Sequence, residues 1–574
     1  MPTLILKSAL LTSFLLALAA CTPLQTKPPV VAGEKIQDEA KKPPLPNQEL
    51  TAQSLYQYLV GEVALQRGQP ELAAEALLDL AKRTRDPRLA QRATETAIQG
   101  RQTVQAGNAA TLWQSLDPES PQATQAAAAL LVNSGRLNEA RPYLEKLIAA
   151  EGESRAAAFL HLNQMLARQP DREAVLALVQ DLAKPYLGSA EAHFAIAQAA
   201  WSASKRQEAI TELRLADSLR PGWELAALFQ GQALQKISVS DSMEFYRAFL
   251  RDYPKASEVR LAYARLLVSE KSYPQARAEF QRVLDITPNN AELSFAVGLL
   301  ALQASDLDAA ESYLKQALSS GYKDEDLVHF YLGQIAEERK QFKQAAEWFA
   351  RVGPGEHYLN AQTRYAGVLA KQDRLGEARQ HLQQIQPQNI AQRVLLIQAE
   401  AQLLREAKQH QEAFDVLGKG LEKLPNQPEL LYDHAMAAEK LDLLDVMEKD
   451  LRQLIQIKPD NAHAYNALGY TFAERGIRLE EALQLTEKAL SLAPDDPLIM
   501  DSLGWAYYRH GEHGKAAEWL KKAHELRQDP EIAAHLGEVL WAQGQRDEAR
   551  KVWNSALKLA PDNEVLRNVM QKFK

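Results

Sequence analysis

Residues 462–494 read AHAYNALGYTFAERGIRLEEALQLTEKALSLAP, and this stretch decides the fold. Ala, Leu, Gln, Glu and Lys dominate it, and these residues lose little entropy in a helix. The pattern predicts two packed helices that cross closely at Gly469, with Pro494 ending the second helix. The residues that form the two facing stripes are Tyr465, Leu468, Gly469 and Phe472 on the first helix, and Ala482, Thr486 and Ala489 on the second.

The same scheme recurs along the chain with a fixed period. The 340 residues from Pro221 to Pro561 form ten intervals that average 34 residues. Prolines that close helical segments stand at 221, 254, 288, 425, 459, 494, 530 and 561. The next two units carry their small and large residues in the same order: Leu503, Gly504, Tyr507, Ala516, Leu520 and Ala523, then Leu536, Gly537, Leu540, Ala549, Trp553 and Ala556.

This period and these positions resemble the tetratricopeptide-repeat family, whose unit is a helix–turn–helix. The resemblance covers residues 189–561, about eleven units, and implies an all-α superhelical solenoid of stacked antiparallel helix pairs with a concave and a convex wall. It is looser at 356–425, where Pro387 falls early. Residues 51–188 are interpreted as degenerate repeats of the same solenoid. Residues 562–574 are expected to form a capping helix, with Asp562 or Asn563 as N-cap.

The resemblance also implies a protein-binding groove, because certain first-helix positions line the concave wall in this family. Counting from the small residue of each unit, these positions hold nine aromatic side chains in a protein that is 7% aromatic. We expect them to face solvent and to anchor a partner; the alternative for each residue is that it packs against neighbouring helices. They are Phe194, Trp201, Phe295, Phe330, Tyr432, Tyr470, Trp505, Tyr508 and Trp541, with Glu474, Arg509 and Glu538 as charged neighbours, whereas Tyr465, Phe472 and Tyr507 take core positions.

The N-terminal residues are typical of a lipoprotein precursor. Lys7 precedes the apolar run 8–20, which is too short to cross a membrane and indicates a signal peptide, residues 1–20. The run ends Leu-Ala-Ala-Cys, which resembles the bacterial lipobox and implies lipidation at Cys21. Thr22 follows where an aspartate would suggest retention in the inner membrane, so we expect an outer-membrane anchor facing the periplasm. Residues 21–50, rich in proline, are expected to form an extended tether.

Composition and motifs disfavour several other classes of function. The net charge of −8 gives no electrostatic reason to expect nucleic acid as a partner. With the single cysteine lipidated, no disulfide is available. No nucleophile elbow, phosphate-binding loop or zinc-binding helix motif occurs. His510 and His513 lie three residues apart in a loop, but a third ligand is not evident. We therefore expect no enzyme activity, metal or cofactor.

Two classes of function remain open at this point. The lipobox, tether and long array resemble the lipoprotein adaptors of periplasmic carboxy-terminal processing proteases, which implies a scaffold that recruits and activates such a protease and its substrates, the cell-wall hydrolases. The alternative is a scaffold for assembly or export of an envelope polymer or pilus, as in exopolysaccharide secretion or type IV pilus biogenesis.

Overall fold

The structure, a computed structural model, describes residue 46 and residues 48–149 and 153–573. Within these ranges the chain forms 31 α-helices and one short 3-10 helix at Lys184–Tyr186, with no β-strand. The signal peptide, Cys21 and most of the proposed tether lie outside the described residues. None of the described helices is long and apolar enough to cross a membrane. The chain divides into two compact units, one ending at Tyr322 and the other beginning at Lys323.

The first unit contains sixteen of the described helices, numbered here in chain order. They are α1 Ala52–Gln66, α2 Pro70–Thr84, α3 Pro87–Gln99, α4 Thr103–Leu116, α5 Pro121–Asn133, α6 Leu137–Ile148, α7 Glu153–Leu166, α8 Arg172–Ala183, α9 Ala190–Ser202, α10 Arg206–Leu219, α11 Glu224–Gln235, α12 Val239–Asp252, α13 Ser257–Ser269, α14 Tyr273–Ile286, α15 Ala291–Gln303 and α16 Leu307–Ser319.

The second unit contains the remaining fifteen described helices. They are α17 Glu325–Glu338, α18 Phe342–Phe349, α19 Tyr358–Ala370, α20 Leu375–Gln384, α21 Ile390–Glu406, α22 His410–Lys423, α23 Pro428–Lys440, α24 Leu444–Ile457, α25 Ala462–Arg475, α26 Leu479–Leu492, α27 Pro497–His510, α28 His513–Leu526, α29 Pro530–Ala542, α30 Arg546–Leu559 and α31 Glu564–Lys572.

From α9 to α30, consecutive helices pack as pairs, here called the A and B helices of a repeat, and each pair packs on the next pair in its unit. Eleven such pairs run from α9 to α30. Local sequence explains the starts of the A helices: the side chains of Asn461, Asp496 and Asp529 accept hydrogen bonds from the first turns of α25, α27 and α29. The A and B helices then cross at a small residue. A Cβ atom added to Gly504 would lie 2.6 Å from Cγ of Leu520.

The region with the looser sequence pattern is also structurally irregular. Helix α20 has ten residues, and α18, which ends shortly before this region, has eight, whereas the B helices of the last three pairs have fourteen each. Helix α21 is correspondingly long, with seventeen residues. Pro387 lies between α20 and α21, where it cannot continue a helix. The early proline therefore coincides with a shortened second helix.

The last helix covers the end of the second unit. Asn563 is its N-cap and accepts a hydrogen bond from the backbone of Leu566, whose side chain is fully buried. Lys572 forms an ion pair with Glu538 at 3.3 Å. The rings of Trp541 and Phe573 lie 5.8 Å apart. Helix α31 thus packs Leu566 and the ring of Phe573 on the last pair, and its outer side is polar except for Val565.

The close crossing of the A and B helices predicts that two glycine-to-alanine substitutions have different effects on the free energy of unfolding. G537A would place a methyl group inside the ring of Trp553, which is itself buried. We expect this variant to lose about 1–3 kcal/mol in the free energy of unfolding, because the core must shift to accept the added atom. Gly367 also lies inside an A helix, α19, but an added Cβ there meets no atom within 4 Å.

The matched control G367A should gain up to about 1 kcal/mol, since alanine favours a helix more than glycine does. Urea unfolding followed by circular dichroism measures both variants. Equal stability of G537A and the wild type would contradict the crossing geometry.

Candidate functional site

The aromatic residues proposed for the groove lie on the A helices α9, α15, α17, α23, α25, α27 and α29. Three of them are buried: Phe194 and Phe295 are each 2% exposed and Trp505 is 5% exposed. The other six are half-buried: Trp201, Phe330, Tyr432, Tyr470, Tyr508 and Trp541. The expectation that all nine face solvent is therefore wrong for Phe194, Phe295 and Trp505. Their role in binding a partner stays a prediction.

The burial of Phe194 and Phe295 follows from the residues that cover them. The ring of Phe194 packs against Trp223, at the start of α11, with centroids 5.1 Å apart. Phe295 stacks on Tyr322 at 4.3 Å. In both cases the covering ring comes from a later loop or helix. The position of the phenylalanine within its own helix therefore does not reveal that its side chain is buried. Two of the predicted core positions are buried as expected, Phe472 and Tyr507, whereas Tyr465 is only half-buried.

Trp505 is the centre of a polar and aromatic cluster on three successive A helices. Its indole Nε1 donates a hydrogen bond to Oε2 of Glu474 on α25, at 2.6 Å. Its ring stacks on the imidazole of His535 on α29, with centroids 4.3 Å apart. Tyr508 lies 5.1 Å from the same indole. The tryptophan is thus held from both neighbouring repeats, and we name this group of residues the Trp505 cluster.

The acidic residues around this cluster shift the pKa of His535 and of the Tyr470 hydroxyl. Nδ1 of His535 donates to the carboxylate of Asp501 at 3.0 Å. Burial opposes the charged imidazole, but Asp501, together with Glu474 and Glu538, outweighs burial and raises the pKa of His535. Burial and the same acidic surroundings raise the pKa of the Tyr470 hydroxyl. The carboxylates around His535 therefore favour the protonated form of its imidazole.

His535 was not recognised in the sequence, although a signal existed. It lies 34 residues after Asp501, one repeat further along, so stacking of consecutive A helices brings the two side chains together. The imidazole has no role in the family pattern of small and large residues, and nothing in its own helix distinguishes it.

The histidines considered for a metal have other contacts. Nε2 of His510 lies 3.4 Å from Glu480, and the ring of His513 lies 5.2 Å from that of Tyr508. Across the described residues there is no group of three or more His, Cys, Asp or Glu side chains arranged to hold a metal ion.

Exposed apolar residues concentrate instead on the first described helix. Tyr56 is 70% exposed, and Leu55, Tyr58, Leu59 and Val63 are exposed as well. Residues 55, 56, 59 and 63 fall on one side of α1, because residues three and four apart lie on the same helical face. The opposite side, with Gly61 and Ala64, is buried against α2. We call residues 55, 56, 59 and 63 the α1 face. The repeat pattern does not indicate this face, although the spacing of its residues is visible in the sequence.

Comparison with known proteins gives matches to repeat families. Family models described as tetratricopeptide repeat match residues 244–291, 295–356, 478–531 and 507–573. A TPR repeat-containing protein of Pseudomonas aeruginosa is 36% identical over 539 residues, which are 93% of this chain and 90% of the relative. Cellulose synthase operon protein C of Pseudomonas fluorescens is 24% identical over 349 residues, which are 51% of this chain and 27% of that protein.

Solved structures of repeat proteins also match. A tetratricopeptide-repeat protein of Thermus thermophilus is 28% identical and covers 29% of this chain and 91% of its own, with a TM-score of 0.27. A chain of the APC/C hetero-tetramer Cut9-Hcn1 is 14% identical and covers 85% of this chain and 97% of its own, with a TM-score of 0.29.

The Trp505 cluster predicts a pH dependence of stability. The pKa of His535 is raised in the folded protein, so the charged imidazole stabilises the fold. This contribution to the free energy of unfolding is fully present below about pH 6.5, the unfolded pKa, and is lost as the pH rises through the folded pKa. At pH 6, H535Q should cost about 1–3 kcal/mol in the free energy of unfolding, since Asp501 loses its buried partner.

The difference in stability between the wild type and H535Q should shrink as the pH is raised from 6 to 9. Urea unfolding at each pH measures it. His463 is exposed on α25, so H463Q serves as the control and should follow the wild-type pH profile. A difference that grows with pH would show that the histidine is neutral in the folded protein.

Proposed function

The chain belongs to the tetratricopeptide-repeat family, and we propose that it is a non-catalytic adaptor, anchored by lipid at Cys21 to the outer membrane and facing the periplasm. Repeats of this family are generally scaffolds for contacts between proteins. The proposed partner is a carboxy-terminal processing protease, which the adaptor recruits and activates together with its substrates, the cell-wall hydrolases. The resemblance of the lipobox, tether and long array to the lipoprotein adaptors of such proteases supports this choice.

The observation that carries the proposal is the difference between the two ends of the described repeat array. A terminal repeat has no neighbour on one side, and its outer face must be polar or covered if the protein is to remain soluble. Helix α31 meets this requirement at the C-terminal end. Helix α1 does not, because the α1 face is apolar and exposed. We infer that a protein partner covers the α1 face, since an exposed apolar cluster marks an interaction surface.

The position of this face also suits an anchored adaptor. Helix α1 begins 31 residues after Cys21. A chain of that length reaches at most about 100 Å when fully extended, so a partner bound to α1 is kept within that distance of the membrane. The six half-buried aromatic residues of the A helices are then proposed as the surface along which substrates are presented.

A second candidate function has a specific observation in its favour. The match to cellulose synthase operon protein C covers half of this chain, and that protein is named for an operon of polymer synthesis. A scaffold for an envelope polymer or a pilus is therefore kept as the alternative. It differs in its partner, which would be an export or assembly subunit instead of a protease.

The α1 face gives the test of the adaptor role. The double variant Y56A/L59A should lose binding to the protease by about tenfold or more, as expected when interface anchors are truncated. Its stability should stay within about 1 kcal/mol of the wild type, because both side chains are exposed. The control L526A/L559A removes two equally exposed leucines elsewhere and should bind normally.

Two quantities are measured with each adaptor variant at the same concentration. The first is the affinity of the variant for the purified protease, and the second is the rate at which the protease cleaves a cell-wall hydrolase. Wild-type adaptor should raise the rate, and Y56A/L59A should not. Wild-type protein that leaves the rate unchanged and instead captures a polymer-export or pilus subunit from detergent-solubilised envelopes would favour the alternative.

Anchoring is tested separately through Cys21. One lipid chain binds a membrane only marginally, whereas two or more attach a protein stably. C21S should therefore move the protein from the outer-membrane fraction to the soluble periplasmic fraction, or leave an uncleaved precursor. Fractionation in high salt followed by immunoblotting measures this. Complete retention of C21S in the outer membrane would contradict the lipobox interpretation.

A further inference from the structure

A cleft on the first unit is lined by four arginines. It has a volume of about 450 Å³, within the range of ligand-binding pockets, and lies between α12, α13 and α14. Arg247 and Arg251 come from α12, Arg260 from α13 and Arg282 from α14. Glu279 is the only acidic residue among those that line it. We call this cavity the arginine cleft.

The carboxylates at the arginine cleft are too few for its guanidinium groups. Glu279 is shared, because it forms ion pairs with Arg260 and, at 2.5 Å, with Arg282. Arg251 pairs with its chain neighbour Asp252 at 3.0 Å. The hydroxyl of Tyr263 and the carboxylate of Glu244 both raise the pKa of the Arg247 guanidinium group. Four arginines therefore share three carboxylates, and only Glu279 among these carboxylates lines the cleft, in a chain whose net charge is −8.

This excess of positive charge favours an anion as the ligand of the cleft. Like charges that converge on one cavity repel each other, and an anion bound among them removes this repulsion. The guanidinium group also matches a carboxylate or phosphate in shape, with two parallel N–H donors for two oxygens. Arg260 is held in place at the cleft by Glu279 and by the carbonyl oxygen of Pro254, at 2.7 Å. Arg247, Arg251 and Arg282 are exposed, so their present surface contacts are weak and can be exchanged for contacts with a ligand.

We propose that the arginine cleft binds an acidic, carboxylate-rich segment of a protein partner. Arg247 and Arg251 are one helical turn apart, so their Cβ atoms are about 5–6 Å apart. Alternate side chains of an extended peptide are about 6.6 Å apart, a spacing that lets two carboxylates meet the two arginines. Between the charges the cleft is lined by Leu250, Pro254 and Tyr263, which provide apolar surface for the peptide chain. A single phosphate would use neither feature.

This site does not depend on the adaptor role of the α1 face. It is formed by α12, α13 and α14, and α1 contributes no residue to it. A failure of Y56A/L59A to affect protease binding would leave the arginine cleft untouched, and loss of the cleft would leave the α1 face intact.

The test uses the full chain in detergent and fluorescein-labelled octaglutamate as the probe. The variant R247Q/R282Q removes two exposed charges and leaves the Arg260–Glu279 pair in place. The control R206Q/R214Q removes two exposed charges from α10, outside the cleft. Melting curves by circular dichroism show whether the variants fold equally. Octaglutamine, inorganic phosphate and phosphatidylglycerol vesicles are the comparison probes.

Octaglutamate should bind the wild type and R206Q/R214Q with affinities that agree within about twofold, and R247Q/R282Q about tenfold more weakly, because two charge-assisted contacts are lost. Binding should weaken as salt is added, and octaglutamine should not bind. Equal affinity of R247Q/R282Q and the wild type, or no binding of octaglutamate, overturns the proposal. Phosphate or vesicles that bind through Arg247 and Arg282 when octaglutamate does not would also overturn it, since the ligand would then be a phosphate group.

Discussion

The close crossing of the A and B helices is the constraint on which the rest of this structure depends. Because Gly504 has no side chain, Leu520 of the partner helix fills the space beside it, and Trp553 does the same beside Gly537. This contact fixes which side of each A helix is inside the pair and therefore which side is left for the next repeat or for solvent. The Trp505 cluster exists because three A helices in succession keep that orientation.

Much of the fold follows from the sequence because the repeat encodes local contacts. The spacing of Gly469, Gly504 and Gly537 predicts the helix pairs, and the chain indeed forms them at 462–492, 497–526 and 530–559. Between residues 356 and 425, where Gly367 of α19 makes no close approach to a partner helix, the pattern is weaker and the B helix α20 is short. The two compact units were not predicted, since a periodic pattern does not mark where one unit ends and the next begins.

The site was less predictable than the fold because exposure depends on more than one repeat. The register of a helix shows the direction of a side chain, but Trp505 is covered by His535 from the following repeat and by Glu474 from the preceding one. The arginine cleft is even harder to predict from the sequence. Its arginines are 4, 9 and 22 residues apart in sequence order and come from three helices, so no local charge run reveals them. The α1 face, in contrast, lies on one helix and is readable from spacing alone.

The energetics of the α1 face bear on the proposed anchoring. Full burial of a large apolar side chain contributes about 1.5–3 kcal/mol, and the four residues of this face are about half exposed, so they supply about 3–6 kcal/mol before costs. Association costs at least about 4 kcal/mol in lost translation and rotation, which limits this face alone to weak affinity. In the proposed anchored adaptor, a tether confines this face to a thin layer at the membrane and raises its effective concentration toward a partner held in the same layer, without a new contact. A small apolar face would then be sufficient for binding.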